Sequence, residues 1–120
     1  MQKIIAPVRT LKGAVRLPGD KSISHRYAML ASIAEGRSVF QNYASGADCH
    51  STLGCLKDLG LAVDVQGTTV TIDGRGLDGY QAPKQALDAG NSGTIMRMLT
   101  GLLAGQSFTT HIGGDESVSR

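Results

Sequence analysis

The sequence predicts a mixed α/β fold built from a repeated unit of strand, helix, strand, helix and hairpin. Apolar residues recur with helical spacing in three segments, and apolar and polar residues alternate with strand spacing between them. Two segments also echo each other: residues 30–40 and 99–109 share a leucine, a glycine and a serine, with Gly36 aligned to Gly105. The second copy breaks off at Arg120 before its second helix, so we expect the chain to be part of a longer protein.

Residues 1–43 are expected to contain three strands and a helix. Residues 2–9 and 13–17 are typical of short strands. The first helix is expected to begin near Ser22 and to end at Gly36, and residues 37–43 are then expected to form a strand. The apolar stripe predicted for this helix is Ile23, Tyr27, Leu30, Ala31 and Ala34.

Two further helices and a hairpin are expected downstream. The second helix is predicted over residues 48–59, with Asp48 as its N-cap. Residues 61–73 alternate around Gly67 and predict a hairpin, and residues 107–112 predict a further strand. The third helix has the clearest pattern, with a stripe of Ile95, Met98, Leu99, Leu102 and Leu103.

The composition favours a globular domain and argues against nucleic-acid or membrane binding. The net charge is only +2, and the sequence holds no basic run or aromatic platform. The apolar run in residues 1–10 is too short for a signal peptide, and no stretch approaches a membrane span. Cys49 and Cys55 are expected to be free thiols in a reducing cytoplasm, with Cys49 in the core rather than acting as a nucleophile.

The polar stretch LPGDKSISHR leads into the predicted first helix. A helix N-terminus offers unpaired N–H groups and partial positive charge, so it attracts anions. Gly19 leaves room beside the backbone, Lys21 adds a charge and Ser22 adds a hydroxyl. Arg26 follows Ser22 by one helical turn and offers a planar fork that suits phosphate or carboxylate. The alternative is that Asp20 caps the helix and the cations are only solvated.

The stretch DAGNSGTIMR, residues 88–97, leads into the third helix in the same way. Gly93 lacks a β-carbon where a ligand could touch the main chain, and Thr94 and Arg97 lie off the apolar stripe. By itself this segment is more typical of a capping loop. Two such loops at the helix starts of a duplicated chain instead indicate a shared anionic pocket.

Other motifs give weaker signals. The stretch GRGLDG, residues 74–79, matches the dinucleotide-binding pattern, but that pattern requires a helix directly after the glycines, and Pro83 follows here. None of the three histidines shows metal-ligand spacing with the cysteines, so no metal site is predicted. Asp115 and Glu116 are expected to be solvated loop residues.

Together with the tail GGDESVSR, the two stretches resemble three signatures of the 5-enolpyruvylshikimate-3-phosphate synthase family, in that family's order. The resemblance covers essentially the whole chain, and we find no match to the signatures of the related UDP-N-acetylglucosamine enolpyruvyl transferases. It implies transfer of the enolpyruvyl group of phosphoenolpyruvate to the 5-hydroxyl of shikimate 3-phosphate, with release of phosphate. This reaction belongs to the shikimate pathway toward aromatic amino acids, needs no metal or organic cofactor, and is inhibited by glyphosate.

The same resemblance implies roles for individual residues. Lys21 would contact both substrates and act in catalysis, while Ser22 and Arg26 would hold shikimate 3-phosphate. The residues expected to line the phosphoenolpyruvate site are Asn91, Gly93 and Thr94, with Gly93 at the position where glyphosate competes. Arg97 would have a structural or electrostatic role.

The family fold consists of two domains, each made of three βαβαββ units around a cleft. Residues 1–18 would then belong with the C-terminal domain, and 19–120 would form part of the N-terminal domain. Within that part, residues 20–85 would form one unit and 86–120 half of the next. Such a chain would carry half of a substrate site, would be inactive alone and could self-associate, whereas the full-length enzyme is expected to be a monomer. The alternative is a non-catalytic phosphate-binding module.

Overall fold

The computed structural model describes residues 1–118. The helices and strands of this part of the chain are α1 (Lys21–Ile33), β1 (Glu35–Phe40), α2 (Ala47–Asp58), β2 (Ala62–Gln66), β3 (Thr69–Arg75), β4 (Leu87–Asp88), α3 (Gly93–Leu103) and β5 (Ile112–Gly113).

The strands form two small sheets that confirm the predicted α/β class. In the first sheet β3 is central, and both β1 and β2 pair with it in antiparallel fashion. The β2–β3 hairpin turns at Gly67, whose φ of 60° favours glycine, so the predicted hairpin is confirmed. In the second sheet β4 and β5 pair in parallel around α3, which forms a strand–helix–strand unit.

The core lies between the helices and the first sheet. Val70 and Ile72 of β3 are buried, as are Leu56 of α2 and Ile95 and Leu99 of α3. Helix α1 packs against both α2 and β3, so it joins the second helix to the first sheet. No helix within residues 1–118 is long and apolar enough to cross a membrane.

The apolar stripe predicted for α1 is wrong. Ile23, Tyr27 and Leu30 are 52%, 52% and 60% exposed, and of the predicted stripe only Ala31 is buried. The buried face instead consists of Ser24, His25, Ala28, Met29, Ala31 and Ser32.

Its polar members can be buried because each hydroxyl is hydrogen-bonded. The Ser24 Oγ donates to the Asp20 carbonyl at 2.7 Å and accepts from the Ala44 N–H at 3.0 Å. The Ser32 Oγ donates to the Met29 carbonyl and lies 2.5 Å from the Tyr80 hydroxyl.

Several predicted strands are absent or shorter than expected in the described part of the chain. Residues 1–18 form no strand and are exposed, because no neighbouring strand in residues 1–118 pairs with them. The strand expected over 37–43 is β1, which ends at Phe40 where its pairing with Val70 ends. The strand expected over 107–112 is limited to β5, because its partner β4 has only two residues.

The helix starts were only partly predicted. Asp20 caps α1, since its Oδ1 accepts from the Ile23 N–H at 2.7 Å. The prediction that Asp48 is the N-cap of α2 is wrong. Gly46 occupies that position, and the Asp48 side chain points to a neighbouring helix. Ser92 caps α3 by accepting from the Ile95 N–H at 3.2 Å, so this helix begins two residues before Ile95.

The contact between the C-terminal end of α1 and the end of β3 can be tested at Gly74. A β-carbon there would lie 2.1 Å from the Ala31 carbonyl oxygen and 2.4 Å from that of Ala34. We expect Gly74→Ala to lower the free energy of unfolding by about 1–3 kcal/mol or more, because backbone must move apart. Gly101→Ala is the control, because its β-carbon would meet nothing within 4 Å. Replacing glycine by alanine inside a helix should raise the free energy of unfolding by as much as about 1 kcal/mol. Urea unfolding followed by circular dichroism measures both, and equal midpoints would contradict the packing argument.

Candidate active site

The glycine before α1 serves the fold rather than a ligand. A β-carbon on Gly19 would lie 1.8 Å from the Asn42 carbonyl oxygen and 2.9 Å from the Ala44 nitrogen. The room that Gly19 leaves is therefore filled by this chain's own loop. This contact fixes where α1 begins and which way its first turn faces.

Lys21, at the start of α1, forms an ion pair with Asp48, at the start of α2. The Lys21 Nζ lies 2.5 Å from the Asp48 Oδ2, with 62% of the lysine side chain but only 11% of the aspartate side chain exposed. The hydrogen bond to Asp48 raises the pKa of Lys21. Burial raises the pKa of Asp48, but the Lys21 cation and the Cys49 N–H outweigh it and lower that pKa overall. Lys21 is therefore a protonated cation with much of its surface toward solvent.

Ser22 and Arg26 lie beside each other on the exposed side of α1, as their spacing predicted. The Arg26 Nη1 donates to the Ser22 carbonyl at 3.0 Å, and both residues are exposed. The first turn and a half of α1 thus exposes an ammonium, a hydroxyl and a guanidinium to solvent.

The loop before α3 is built around a tight turn. Gly90 has a φ of 54°, and its N–H donates to the Asp88 Oδ1 at 2.8 Å. Ser92 is buried as the cap of α3, which leaves Asn91 exposed at the outside of the turn. The interpretation of this segment as a capping loop is therefore correct for Ser92. The residues on either side of Ser92 remain available for other contacts.

Gly93 and Thr94 form the first turn of α3 and are partly exposed. The Arg97 Nε donates to the Gly93 carbonyl at 3.2 Å, so this arginine lies over the first turn of α3 as Arg26 lies over that of α1. A β-carbon on Gly93 would meet only the Arg97 Nη2, at 3.9 Å. Unlike Gly19, Gly93 faces open space in this chain.

Helix α2 brings the two loops together. Its Asp48 contacts Lys21, and one turn later the Ser51 Oγ lies 2.8 Å from the position of a β-carbon on Gly90. The Cys55 Sγ also donates to the Asp88 carbonyl at 3.3 Å. Helix α2 therefore contacts the start of α1 through its first turn and the loop before α3 through its middle.

Helices α1 and α3 also approach each other directly. A cavity of about 180 Å³ between them is lined by Arg26, Met29, Leu30, Met98 and Leu102. Apart from Arg26 its lining side chains are apolar.

One cluster was missed by the sequence analysis. Donor atoms of His25, Asp48 and Cys49 lie within 4.8 Å of one another, and all three residues are buried. No local spacing could reveal it, because the contact joins two different helices.

The donor set of this cluster does not fit a divalent metal ion well. The Asp48 carboxylate is already paired with Lys21. Burial, followed by the nearby Asp48 charge, raises the pKa of Cys49 to about 11, whereas metal ions bind thiolates.

Two other sequence interpretations can be compared with the structure. Residues 74–79 form the end of β3 and the turn after it, and no helix follows them before α3. The dinucleotide-binding interpretation is therefore wrong, because that motif requires a helix directly after its glycines. Asp115 is exposed, and its Oδ1 accepts from the Ser117 N–H at 2.9 Å within the same loop. The end of the third signature, residues 119–120, lies outside the described residues.

The polar segments that lead into α1 and α3 thus carry exposed cations and open backbone, and both contact α2. Residues 5–120 match the model of the family described as EPSP synthase (3-phosphoshikimate 1-carboxyvinyltransferase). The chain therefore belongs to the EPSP synthase family, and the resemblance seen in its signatures is confirmed.

Individual relatives agree with this assignment. The chain is 60% identical over 120 residues to the 3-phosphoshikimate 1-carboxyvinyltransferase of Solibacter usitatus (strain Ellin6076), covering 100% of this chain and 28% of that protein. It is 47% identical over 120 residues to the protein of that name from Bacillus cereus (strain G9842), covering 99% and 28%. The solved EPSP synthase from Acinetobacter baumannii matches with a TM-score of 0.85 and 42% identity, over 90% of this chain and 25% of that one. The chain thus spans about a quarter of the length of these relatives.

The chemistry of the cysteines gives a prediction. Burial raises the pKa of both Cys49 and Cys55 from 9.0 to about 11, and both are free thiols. At pH 8 a shift of this size reduces the thiolate fraction roughly 100-fold. We expect iodoacetamide to alkylate the folded chain at least about 100-fold more slowly than the same chain in urea, as measured by mass spectrometry. Rapid alkylation of Cys49 in the folded chain would show a reactive thiol instead.

Proposed function

We propose that this chain forms one wall of a site that transfers the enolpyruvyl group of phosphoenolpyruvate to the 5-hydroxyl of shikimate 3-phosphate. The observation that carries the proposal is that α2 contacts both Lys21 at the start of α1 and the loop before α3, so the two polar segments are held by one helix. Both substrates carry phosphate and carboxylate groups, and helix starts with adjacent cations attract such anions. The names of the relatives support the same reaction.

We assign shikimate 3-phosphate to the first polar stretch, residues 17–26, which includes the start of α1. Ser22 offers a hydroxyl and Arg26 a guanidinium on the exposed side of α1, and Lys21 lies at its first position. The Arg26 Nη1 is used by the Ser22 carbonyl, and a guanidinium has further N–H donors that can bind a phosphate or carboxylate in a forked arrangement.

We assign phosphoenolpyruvate to the second polar stretch, residues 88–97, together with Lys21. Glyphosate would compete with phosphoenolpyruvate at this place. Asn91 is exposed at the turn, and Gly93 and Thr94 begin α3 with open space beside Gly93. The first N–H groups of α3 then face the phosphate. Lys21 can serve both substrates because α2 holds the two loops next to each other.

We also propose how residues 1–18 and the cell context fit this function. Residues 1–18 contain exposed apolar side chains, including Ile4, Ile5 and Leu11, and we assign them to the C-terminal domain of the complete enzyme. In the isolated chain this surface favours self-association. Both cysteines are free thiols, which supports a reducing cytoplasm.

The decisive experiment is completion of the site. The 120-residue chain is assayed for phosphate release with both substrates, alone and after it replaces the matching segment of the Solibacter usitatus relative. Because catalysis needs groups around both substrates in a closed cleft, the chain alone should be inactive and the completed enzyme active. Substrate binding without turnover in the completed enzyme would instead favour the non-catalytic phosphate-binding module.

Arg26→Lys tests the shikimate 3-phosphate assignment in the completed enzyme. Lysine keeps the charge but loses the fork, so we expect affinity for shikimate 3-phosphate to fall by about 1–3 kcal/mol. Calorimetry measures the change. Arg37→Lys is the control, because Arg37 pairs with Asp73 on the first sheet, and it should leave affinity unchanged. Equal affinities for all three proteins would remove Arg26 from the site.

Gly93→Ala tests the phosphoenolpyruvate assignment. Within this chain the added methyl meets only the end of Arg97, at 3.9 Å, so stability should barely change. A ligand seated against the loop would meet the methyl at a cost of about 1–3 kcal/mol. The KM for phosphoenolpyruvate and the inhibition constant of glyphosate should therefore both rise, while affinity for shikimate 3-phosphate stays the same. Equal losses for both substrates would point to a damaged fold.

A further inference from the structure

We propose that Asp48 is a positioning residue for Lys21, and that the buried His25 holds the Asp48 carboxylate in place. The proposal rests on the proposed function, since it concerns how the shared lysine of that site is held. Its evidence is a chain of side chains that runs from the surface at Lys21 to the interior at Thr52.

The Asp48 carboxylate is fixed through both of its oxygens. Its Oδ2 lies 2.5 Å from the Lys21 Nζ, and its Oδ1 accepts from the Cys49 N–H at 2.9 Å. Its side chain is only 11% exposed, so water competes little for these contacts. A carboxylate that is held in this way directs Lys21, whose long side chain would otherwise sample many rotamers.

His25 supports the carboxylate from the interior. Its side chain has no exposed surface, and its Nε2 lies 3.6 Å from the Asp48 Oδ2. That Nε2 is buried without a hydrogen-bond partner among the described residues. The Nδ1 lies 2.6 Å from the Thr52 Oγ1. The Thr52 Oγ1 also lies 3.4 Å from the Asp48 carbonyl oxygen, a longer contact than the one to Nδ1. We assign the Thr52 hydroxyl hydrogen to the shorter contact, which places the ring proton on Nε2, in electrostatic contact with the carboxylate at 3.6 Å.

The surroundings of His25 favour the neutral ring over the charged one. Burial lowers its pKa, and Lys21 and Arg26 lower it further, while Asp48 acts in the opposite direction. A neutral ring contributes a directed N–H and leaves the Asp48 charge for Lys21. The buried Thr52, one turn beyond Asp48 on α2, completes the support.

This arrangement leaves Lys21 able to bind substrates. An ammonium group has three N–H donors, and Asp48 takes one direction. The lysine side chain is 62% exposed, so its other donors are open to solvent and to ligands. Asp48 thus sets the position of the cation and keeps it protonated without occupying the substrate side.

The test compares Asp48→Asn, His25→Leu and His25→Gln with the control Asp73→Asn. Asn keeps the shape of Asp48 without its charge, and Gln can place an N–H near the position of the His25 Nε2. Asp73 pairs with Arg37 at 2.7 Å and lies outside the site. The pKa of the Lys21 ammonium is measured in this chain by nitrogen-15 NMR, and kcat and KM are measured in the completed enzyme.

We expect Asp48→Asn to lower the Lys21 pKa and to reduce kcat about 10- to 100-fold, because misplacement of a catalytic group has effects of this size. His25→Leu should shift both values in the same direction, and His25→Gln should restore much of the loss. Unfolding curves separate this from a damaged fold. An unchanged Lys21 pKa in Asp48→Asn overturns the proposal. An Asp48→Asn enzyme that is active with an unchanged kcat also overturns the proposal. If the completed wild-type enzyme shows no turnover, the proposed function is contradicted instead. The Lys21 pKa measured by NMR then decides whether Asp48 positions Lys21.

Discussion

Lys21 and Asp48 begin two different helices, and their ion pair joins those helix starts at 2.5 Å. Lys21 and Arg26 lie in the first turns of α1 and Arg97 lies in the second turn of α3, so exposed cations follow both helix starts. The Asp48 carboxylate balances the Lys21 charge from the less exposed side of the pair. Lys21 therefore stays exposed while its charge is offset from the core side, and this arrangement requires α1 and α2 to pack as they do.

Two motif glycines that look alike in the sequence have different physical roles. Gly19 is needed because a β-carbon would lie 1.8 Å from the Asn42 carbonyl oxygen, a backbone atom that cannot move away easily. Gly93 meets no such constraint from this chain, since its nearest neighbour would be the flexible end of Arg97 at 3.9 Å. The proposed ligand site would use this open backbone at the first turn of α3, where no side chain stands between the main chain and solvent.

Sequence reasoning succeeded where burial is apolar and local. Helix α3 was predicted because Ile95, Leu99 and Leu103 are both apolar and buried, and the hairpin because alternation and Gly67 agree. It failed for α1, whose buried face includes Ser24, His25 and Ser32, since apolar spacing cannot reveal polar residues that find hydrogen-bond partners elsewhere in the fold. Asp48 was likewise placed as a cap, because its real partners lie on another helix.

The buried polar face of α1 has a consequence for the site. Successive residues on a helix are about 100° apart, so burying Ile23 and Tyr27 in place of Ser24 and Ala28 would rotate α1 by roughly that angle. Lys21 would then turn away from Asp48, and Ser22 and Arg26 would face a different direction from the second loop. The hydrogen bonds of Ser24 to Ala44 and of Ser32 to Tyr80 connect α1 to fixed points in two loops. Unlike apolar contacts, such bonds are satisfied in only one rotation of the helix. They therefore determine the direction of the charged residues as well as the packing of the core.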